Sequence, residues 1–230
     1  MLLAIAAGVG VFAILARKDR KFNEHSALII FAAIAGGALG AKIPIWIVYA
    51  REIIASWPDP RLLLSGRTIV GGLIGGTVAV WMVKRKLKIR QRVGNAIAPA
   101  IALGIAIGRM GCLLRGCCFG TETALPWGVD LGDHVLRHPT QLYESAFGAI
   151  AFIVLLSFWR TKPREGILLQ WFMIAYFAFR FCIEFIRVEP RILFGLTGYQ
   201  YAAVAVLLYY GWRISRQFSS HYVPQAANRY

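Results

Sequence analysis

Acidic side chains are scarce in this sequence. Its 230 residues carry 11 Asp and Glu against 26 Lys and Arg, a formal net charge of +15. Such an imbalance alone points to nucleic acid or to an anionic lipid surface. The basic residues fall between apolar runs of membrane-spanning length, which sets nucleic acid aside in favour of lipid. A soluble domain is missing too. The chain is 58% hydrophobic and only 16% charged, with a mean hydropathy of +0.58, and nothing of domain size remains once the apolar runs are removed. There is no internal repeat and no low-complexity tract. No basic segment precedes the first apolar run: residues 1–16 are apolar from the start and Arg17 follows directly. That pattern reads as a first transmembrane helix and not as a cleaved signal. The four cysteines, Cys112, Cys117, Cys118 and Cys182, say little about compartment. Cys117 and Cys118 are adjacent, which disfavours a relaxed disulfide between them. With His138, the first three match no usual zinc spacing. They read as small apolar side chains at a tight helix end, and neither a metal nor a cofactor is expected.

What is present is a series of apolar segments near the ~20 residues needed to cross a bilayer. They cover about 1–16, 26–49, 67–83, 93–113, 141–159, 166–187 and 198–216. The expected fold is an all-α integral membrane protein of about seven transmembrane helices, forming one multi-pass domain over 1–230. Orientation follows from the basic loops. Arg17, Lys18, Arg20 and Lys21 end the first span, and Lys84, Arg85, Lys86, Lys88, Arg90 and Arg92 end the third. Arg160, Lys162 and Arg164 end the fifth, while Arg213, Arg216 and Arg229 follow the seventh. The opposite loops carry fewer cations, Arg61 among them. The amino terminus is therefore expected outside, the carboxy terminus in the cytoplasm, and the long loop 114–140 outside.

Three cations remain within the spans: Lys42, Arg109 and Arg180. A fixed charge at membrane depth is costly, so it faces a protein interior or polar cavity and pairs there. Each lies in the last third of an outward-running segment, which brings all three towards the outer leaflet. The third span opens at the same level with the small residues Gly71, Gly72, Gly75 and Gly76. Arg109 stands in a glycine-rich stretch, 108–120, where missing side chains let backbones approach closely. A planar guanidinium there suits phosphate oxygens. In the sixth span Tyr176, Arg180, Glu184 and Arg187 follow at i, i+4, i+8 and i+11, along one helix face. Glu184 either makes a structural ion pair or orients one arginine while the other holds an anion. Cations outnumber carboxylates at this depth, which favours an anionic ligand. The loop closes with His138, Pro139, Thr140, Gln141, Leu142, Tyr143 and Glu144. Proline favours a helix start just after it, with Thr140 as its cap. His138 is read as a hydrogen-bonding strut or, given its useful pKa, as a proton carrier.

Together these pieces resemble the prolipoprotein diacylglyceryl transferases, bacterial enzymes that move diacylglycerol from phosphatidylglycerol to a lipobox cysteine. The matching stretches are Gly71 to Gly75, Gly108-Arg109-Met110-Gly111, Gly120, His138 to Glu144, and Phe179-Arg180 with Glu184-Phe185-Ile186-Arg187. They stand in the family's order and cover about 40–215. The resemblance implies a multi-pass enzyme of the bacterial cytoplasmic membrane with its site toward the extracytoplasmic side. Its partners are phosphatidylglycerol or a related phospholipid and a prolipoprotein signal peptide. Arg109, Arg180, His138 and Glu184 are then the expected catalytic groups. Arg109, Arg180, Arg187, Lys42, Gly71, Gly72, Tyr143, Tyr176 and Gln141 are the expected substrate-binding residues.

The chain also departs from the family's pattern. Val70 stands where the family has histidine, Cys112 where it has asparagine, and Lys42 where it has arginine, which loses the bidentate fork. The general base then falls to His138 or Glu184, or the acceptor thiol arrives deprotonated. Two other readings stand beside the transferase. One is a paralogue passing a lipid group to a different acceptor; the other is a nonenzymatic phospholipid-binding or transport protein.

Overall fold

The computed structural model describes residues 2–55 and 66–219; Arg61 and Arg229 lie outside them. Helices follow in the order α1 (Leu2–Lys18), α2 (Glu24–Gly40), α3 (Ile43–Val48), α4 (Ala50–Ala55), α5 (Ile69–Lys86), α6 (Gly94–Leu114), α7 (Thr140–Arg160), α8 (Ile167–Ile183) and α9 (Gly198–Ser219). The chain is mostly helical. Among the described residues four stretches are long and apolar enough to cross a membrane: Glu24–Val48, Gly94–Leu114, Thr140–Arg160 and Ile167–Ile186. Their outward faces are apolar, as lipid contact requires: Ile150, Ile153, Val154 and Phe158 on α7 are all exposed. The loop 114–140 adds a small antiparallel pair, Val129–Asp130 with Leu136–Arg137, to an otherwise helical chain.

Two long helices differ from the continuous rods expected from the sequence. The second apolar stretch breaks at Ala41 and Lys42, where a turn separates α2 from α3 and Pro44 enters the new helix in its first turn. Proline is tolerated there because its missing N–H has no helical partner to lose. Lys42 is therefore half-buried at a break and not on an unbroken span. The sixth stretch leaves α-geometry at Ile183, tightens to a 3₁₀ turn at Glu184–Ile186, and ends with Arg187 extended (φ −97°, ψ 152°).

The chain packs as two compact units, Leu15–Arg92 and Met1–Ile14 with Val93–Tyr230. In the first, α2 lies on α5 along a seam of glycines. A Cβ at Gly40 would stand 2.7 Å from the Gly75 Cα, and one at Gly76 3.1 Å from the Ala33 carbonyl oxygen. Backbone meets backbone here, as small residues permit between membrane helices. The second unit is built on α6, which packs against α7 and α8, while α9 packs on α8. Its core is aromatic, with Phe172, Tyr176 and Phe177 almost fully buried.

Candidate active site

Arg109 leaves α6 within a turn and a half of the helix end at Leu114, and what it meets is set by Gly148 on α7. A Cβ at Gly148 would lie 2.9 Å from both the Ala102 oxygen and the Ala106 nitrogen. The absent side chain lets α7 approach α6, and Glu144 sits one turn earlier on the same face. Arg109 Nη2 and Glu144 Oε2 are 2.6 Å apart.

Glu144 is the hub of the site. Its Oε1 accepts hydrogen bonds from Arg180 Nη1 at 3.2 Å and Arg187 Nη1 at 3.3 Å. Glu184 Oε2 lies 2.7 Å from Arg180 Nη2 and 3.9 Å from Arg187 Nε, and its Oε1 accepts from the Thr197 hydroxyl at 3.0 Å. All five charged side chains are buried. Three guanidiniums thus face two carboxylates. Glu189, at the edge, takes Arg187 Nη2 at 3.1 Å, and the Arg180 guanidinium stacks over Tyr199. Arg180 and Glu184 pair as their i,i+4 spacing predicts. Arg187 joins them only because the 3₁₀ turn and its extended backbone swing it inward.

The pairing leaves donors over. The Nε groups of Arg109, Arg180 and Arg187 and the hydroxyl of Tyr176 are buried without a hydrogen-bond acceptor among the described residues. Buried donors in folded proteins are nearly always satisfied, and each one left over costs about 1–3 kcal/mol. An anion with several oxygens meets this need, because it can accept from more than one guanidinium at once.

Gln141, Thr140, His138 and Tyr143 stand at the start of α7, on the same helix as Glu144 or just before it. Gln141 Nε2 donates to the Cys117 oxygen at 2.6 Å, while its Oε1 is buried without a donor. Thr140 does not cap α7: Pro139 holds the N-cap position, and the Thr140 hydroxyl donates to the Cys118 oxygen at 2.6 Å. His138 Nδ1 meets the Tyr143 hydroxyl at 3.3 Å, and that hydroxyl accepts from Trp127 Nε1 at 2.8 Å. With two lone pairs that hydroxyl can accept from the His138 Nδ1–H as well, and in that tautomer Nε2 is the imidazole's open acceptor. Gly120 binds the pieces together. Its N–H donates to the His138 oxygen at 2.9 Å, Thr121 N–H donates to the Ile186 oxygen at 2.8 Å, and a Cβ at Gly120 would meet the His138 Cβ at 2.8 Å. Lys42, Gly71 and Gly72 belong to the other unit. There Gly71 faces the Gly40 carbonyl and Gly72 faces Gly37, so both serve the α2–α5 seam.

The sequence expected Lys42, Arg109 and Arg180 to meet near Glu184. The structure joins Arg109, Arg180 and Glu184 with Arg187, leaves Lys42 in the other unit, and adds Glu144, which the sequence reading did not single out. Glu144 stood only as the last residue of the His138 stretch. Its partners come from α6 and α8, which spacing along one helix cannot reveal.

Cys112, Cys117 and Cys118 also converge, with their sulfurs within 4.8 Å of one another. The Cys112 thiol, by hydrogen bonding, and the charges of Arg109 and Arg187 pull the Cys118 thiol down to about 5 against the opposing effect of burial. Burial pushes the Cys117 thiol up.

Comparison with known proteins adds an independent line. A family model described as prolipoprotein diacylglyceryl transferase matches residues 1–214. A relative from Clostridium tetani named phosphatidylglycerol–prolipoprotein diacylglyceryl transferase is 33% identical over 182 residues, 76% of this chain and 73% of its own. Proteins of the same name from Bordetella parapertussis and Cupriavidus pinatubonensis are 35% identical over 177 residues and 36% identical over 181. These matches cover 74% of this chain in both cases, and 67% and 62% of the relatives.

Proposed function

We propose, because the chain belongs to the prolipoprotein diacylglyceryl transferase family, that it transfers diacylglycerol from phosphatidylglycerol to the lipobox cysteine thiol of a prolipoprotein. The observation that carries this reading is the set of unmatched buried donors on Arg109, Arg180 and Arg187 around Glu144. A phosphodiester offers that set several acceptor oxygens at once.

In the reaction a cysteine thiolate attacks the glycerol carbon that bears the phosphate. A C–S bond forms, the C–O bond to phosphate breaks, and glycerol phosphate leaves with one more negative charge than the phosphodiester carried. Fixed guanidiniums in a water-poor site favour the state in which that charge develops. Arg109 and Arg180 hold the phosphate, with Arg187 beside them, and Glu144 keeps their planes in place. Tyr176 adds a hydroxyl donor from the aromatic floor. Glu184 has both oxygens engaged by Arg180 and Thr197, so it orients Arg180 more readily than it takes a proton. A base on this chain would then be His138 through Nε2, in the tautomer whose Nδ1–H donates to the Tyr143 hydroxyl, with Tyr143 and Gln141 shaping the approach. Lys42 belongs to the binding set on the sequence pattern, and Lys42→Ala tests that assignment. The enzyme crosses the bacterial cytoplasmic membrane seven times, amino terminus outside, with the site toward the extracytoplasmic side.

The test is direct. Purified protein is given phosphatidylglycerol and a lipobox peptide, and thioether-linked peptide and free glycerol phosphate are measured together. Both should appear in equal amounts. Arg109→Ala and Arg180→Ala should each lower turnover by about 10²–10³-fold while the protein stays folded. Folded wild-type protein that releases no glycerol phosphate, or consumes lipid without modifying the peptide, would sink the proposal.

A further inference from the structure

The three-cysteine cluster beside the anion site has no part in the transfer just described. Its geometry comes from the way α6 ends. Gly116 turns left-handed (φ +66°), its N–H donates to the Leu113 oxygen at 2.9 Å, and the Cys117 N–H donates to the Cys112 oxygen at 3.2 Å. These two bonds form a Schellman reversal, the helix ending that favours glycine at its left-handed residue. The reversal folds Cys117 back over Cys112. Cys118 then adopts a left-handed conformation itself (φ +66°). Non-glycine residues hold that conformation at a cost, and such positions gather at functional sites.

All three thiols are free, and all three residues are half-buried. The Cys117 and Cys118 sulfurs are 3.7 Å apart. Two thiolates on one tetrahedral zinc ion, at Zn–S about 2.3 Å, stand roughly 3.8 Å apart. A disulfide between adjacent cysteines is strained, whereas an ion can use both sulfurs at their present separation. The loop is also held from behind: Gln141 donates to the Cys117 oxygen, and Thr140 and Arg187 donate to the Cys118 oxygen. Three thiolates around a divalent ion carry one net negative charge, and the Arg187 guanidinium, which donates to the Cys118 oxygen at 3.3 Å, stands close enough to offset it. His138, the fourth ligand imagined from the sequence, is not in the cluster. Spacing alone missed the three sulfurs because their meeting depends on a reversal at a helix end, not on a knuckle.

We propose that Cys112, Cys117 and Cys118 form a binding site for a thiophilic divalent ion of the zinc class, with the fourth position left to water or to an incoming ligand. Thiolate-rich sites select such ions over the hard cations magnesium and calcium. Because Gln141, Thr140 and Arg187 grip the same loop, an ion there fixes the segment that borders the phosphate-binding arginines. This site does not depend on the transferase reading, and its test needs no lipid or peptide.

Full-length protein in detergent is reduced, freed of metal under anaerobic conditions, and titrated with Cd²⁺ and separately with Zn²⁺. The expected result is one tightly held equivalent, with cadmium–thiolate charge-transfer absorption in the near ultraviolet. Cys117→Ser should weaken binding by more than the about 10–100-fold usual for outer-shell changes. Cys182→Ser, at the exposed fourth cysteine, should leave it unchanged. Should the serine variant at 117 misfold, wild-type protein still decides the matter by alkylation. Bound Zn²⁺ should slow modification of Cys112, Cys117 and Cys118 and leave Cys182 as reactive as before. Equal alkylation of all four with and without the ion overturns the proposal. So does an equivalent that survives replacement of all three cysteines by serine.

Discussion

Glu144 carries more of this site than any other single residue. Among the described residues it is the one buried carboxylate that touches all three arginines, so its loss would leave three buried guanidiniums with Glu184 and, at the edge, Glu189. Breaking a buried charge network from one side costs about 3–5 kcal/mol, most of it from the charges left unmatched. Glu144→Gln should therefore lower the unfolding midpoint of the purified protein sharply. Glu189→Ala should not. Its pair with Arg187 lies at the edge with a partly exposed carboxylate, where ion pairs are worth about 0–1 kcal/mol. Thermal unfolding of the two variants side by side measures the difference, and equal losses would mean that Glu144 is not the hub. The same residue marks how far a sequence can be read at this scale. Arg180 and Glu184 lie on one helix, so their spacing shows that they meet. Glu144 finds its partners across two helix interfaces, and no spacing records that.

Between helices, approach distance decides whether those charges meet at all. Gly148 is the contact that sets it on α7. A methyl group there would press on the Ala102 oxygen and Ala106 nitrogen at 2.9 Å, and backbone atoms cannot yield as a side-chain tip can. Gly148→Ala should cost about 1–3 kcal/mol by overpacking. It should also lower transfer activity, because separating α7 from α6 draws Glu144 away from Arg109. Gly10→Ala, with nothing within 4 Å of the added methyl, is the control and should change neither. If the two substitutions behave alike in unfolding and in turnover, the close approach at Gly148 is not what assembles the site. The positions of the long helices were legible in the sequence, because apolar length and basic punctuation act along the chain. The break at Lys42 and the 3₁₀ turn at Glu184–Ile186 were not, since both depend on local backbone choices within stretches that read as single spans. Nor did the sequence reveal that Gly71 and Gly72 serve a helix seam; a glycine-rich stretch looks the same whether it admits a ligand or a neighbouring backbone.

At the scale of the molecule, the question is how the shorter helices cross. α1 has 17 residues, about 25 Å at 1.5 Å per residue, against a hydrocarbon core of about 30 Å. Arg17 and Lys18 stand in its last turn, where long side chains can reach up to the headgroups and make good part of the shortfall. α5 ends likewise in Lys84, Arg85 and Lys86. If both cross, their basic ends lie on the cytoplasmic side by the charge rule, and the loop 114–140 comes out on the opposite face beside Arg109 and Glu144. Reporter fusions decide this. A phosphatase that works only outside the cytoplasm should be active when joined after Asp133 and inactive when joined after Arg90. A reporter that works only in the cytoplasm should give the reverse. Cytoplasmic activity at both joints would rule out an odd number of crossings between them, and α6 would then fail to span. The arginine centre would in that case face the cytoplasmic leaflet, and a phospholipid headgroup would have to enter from there.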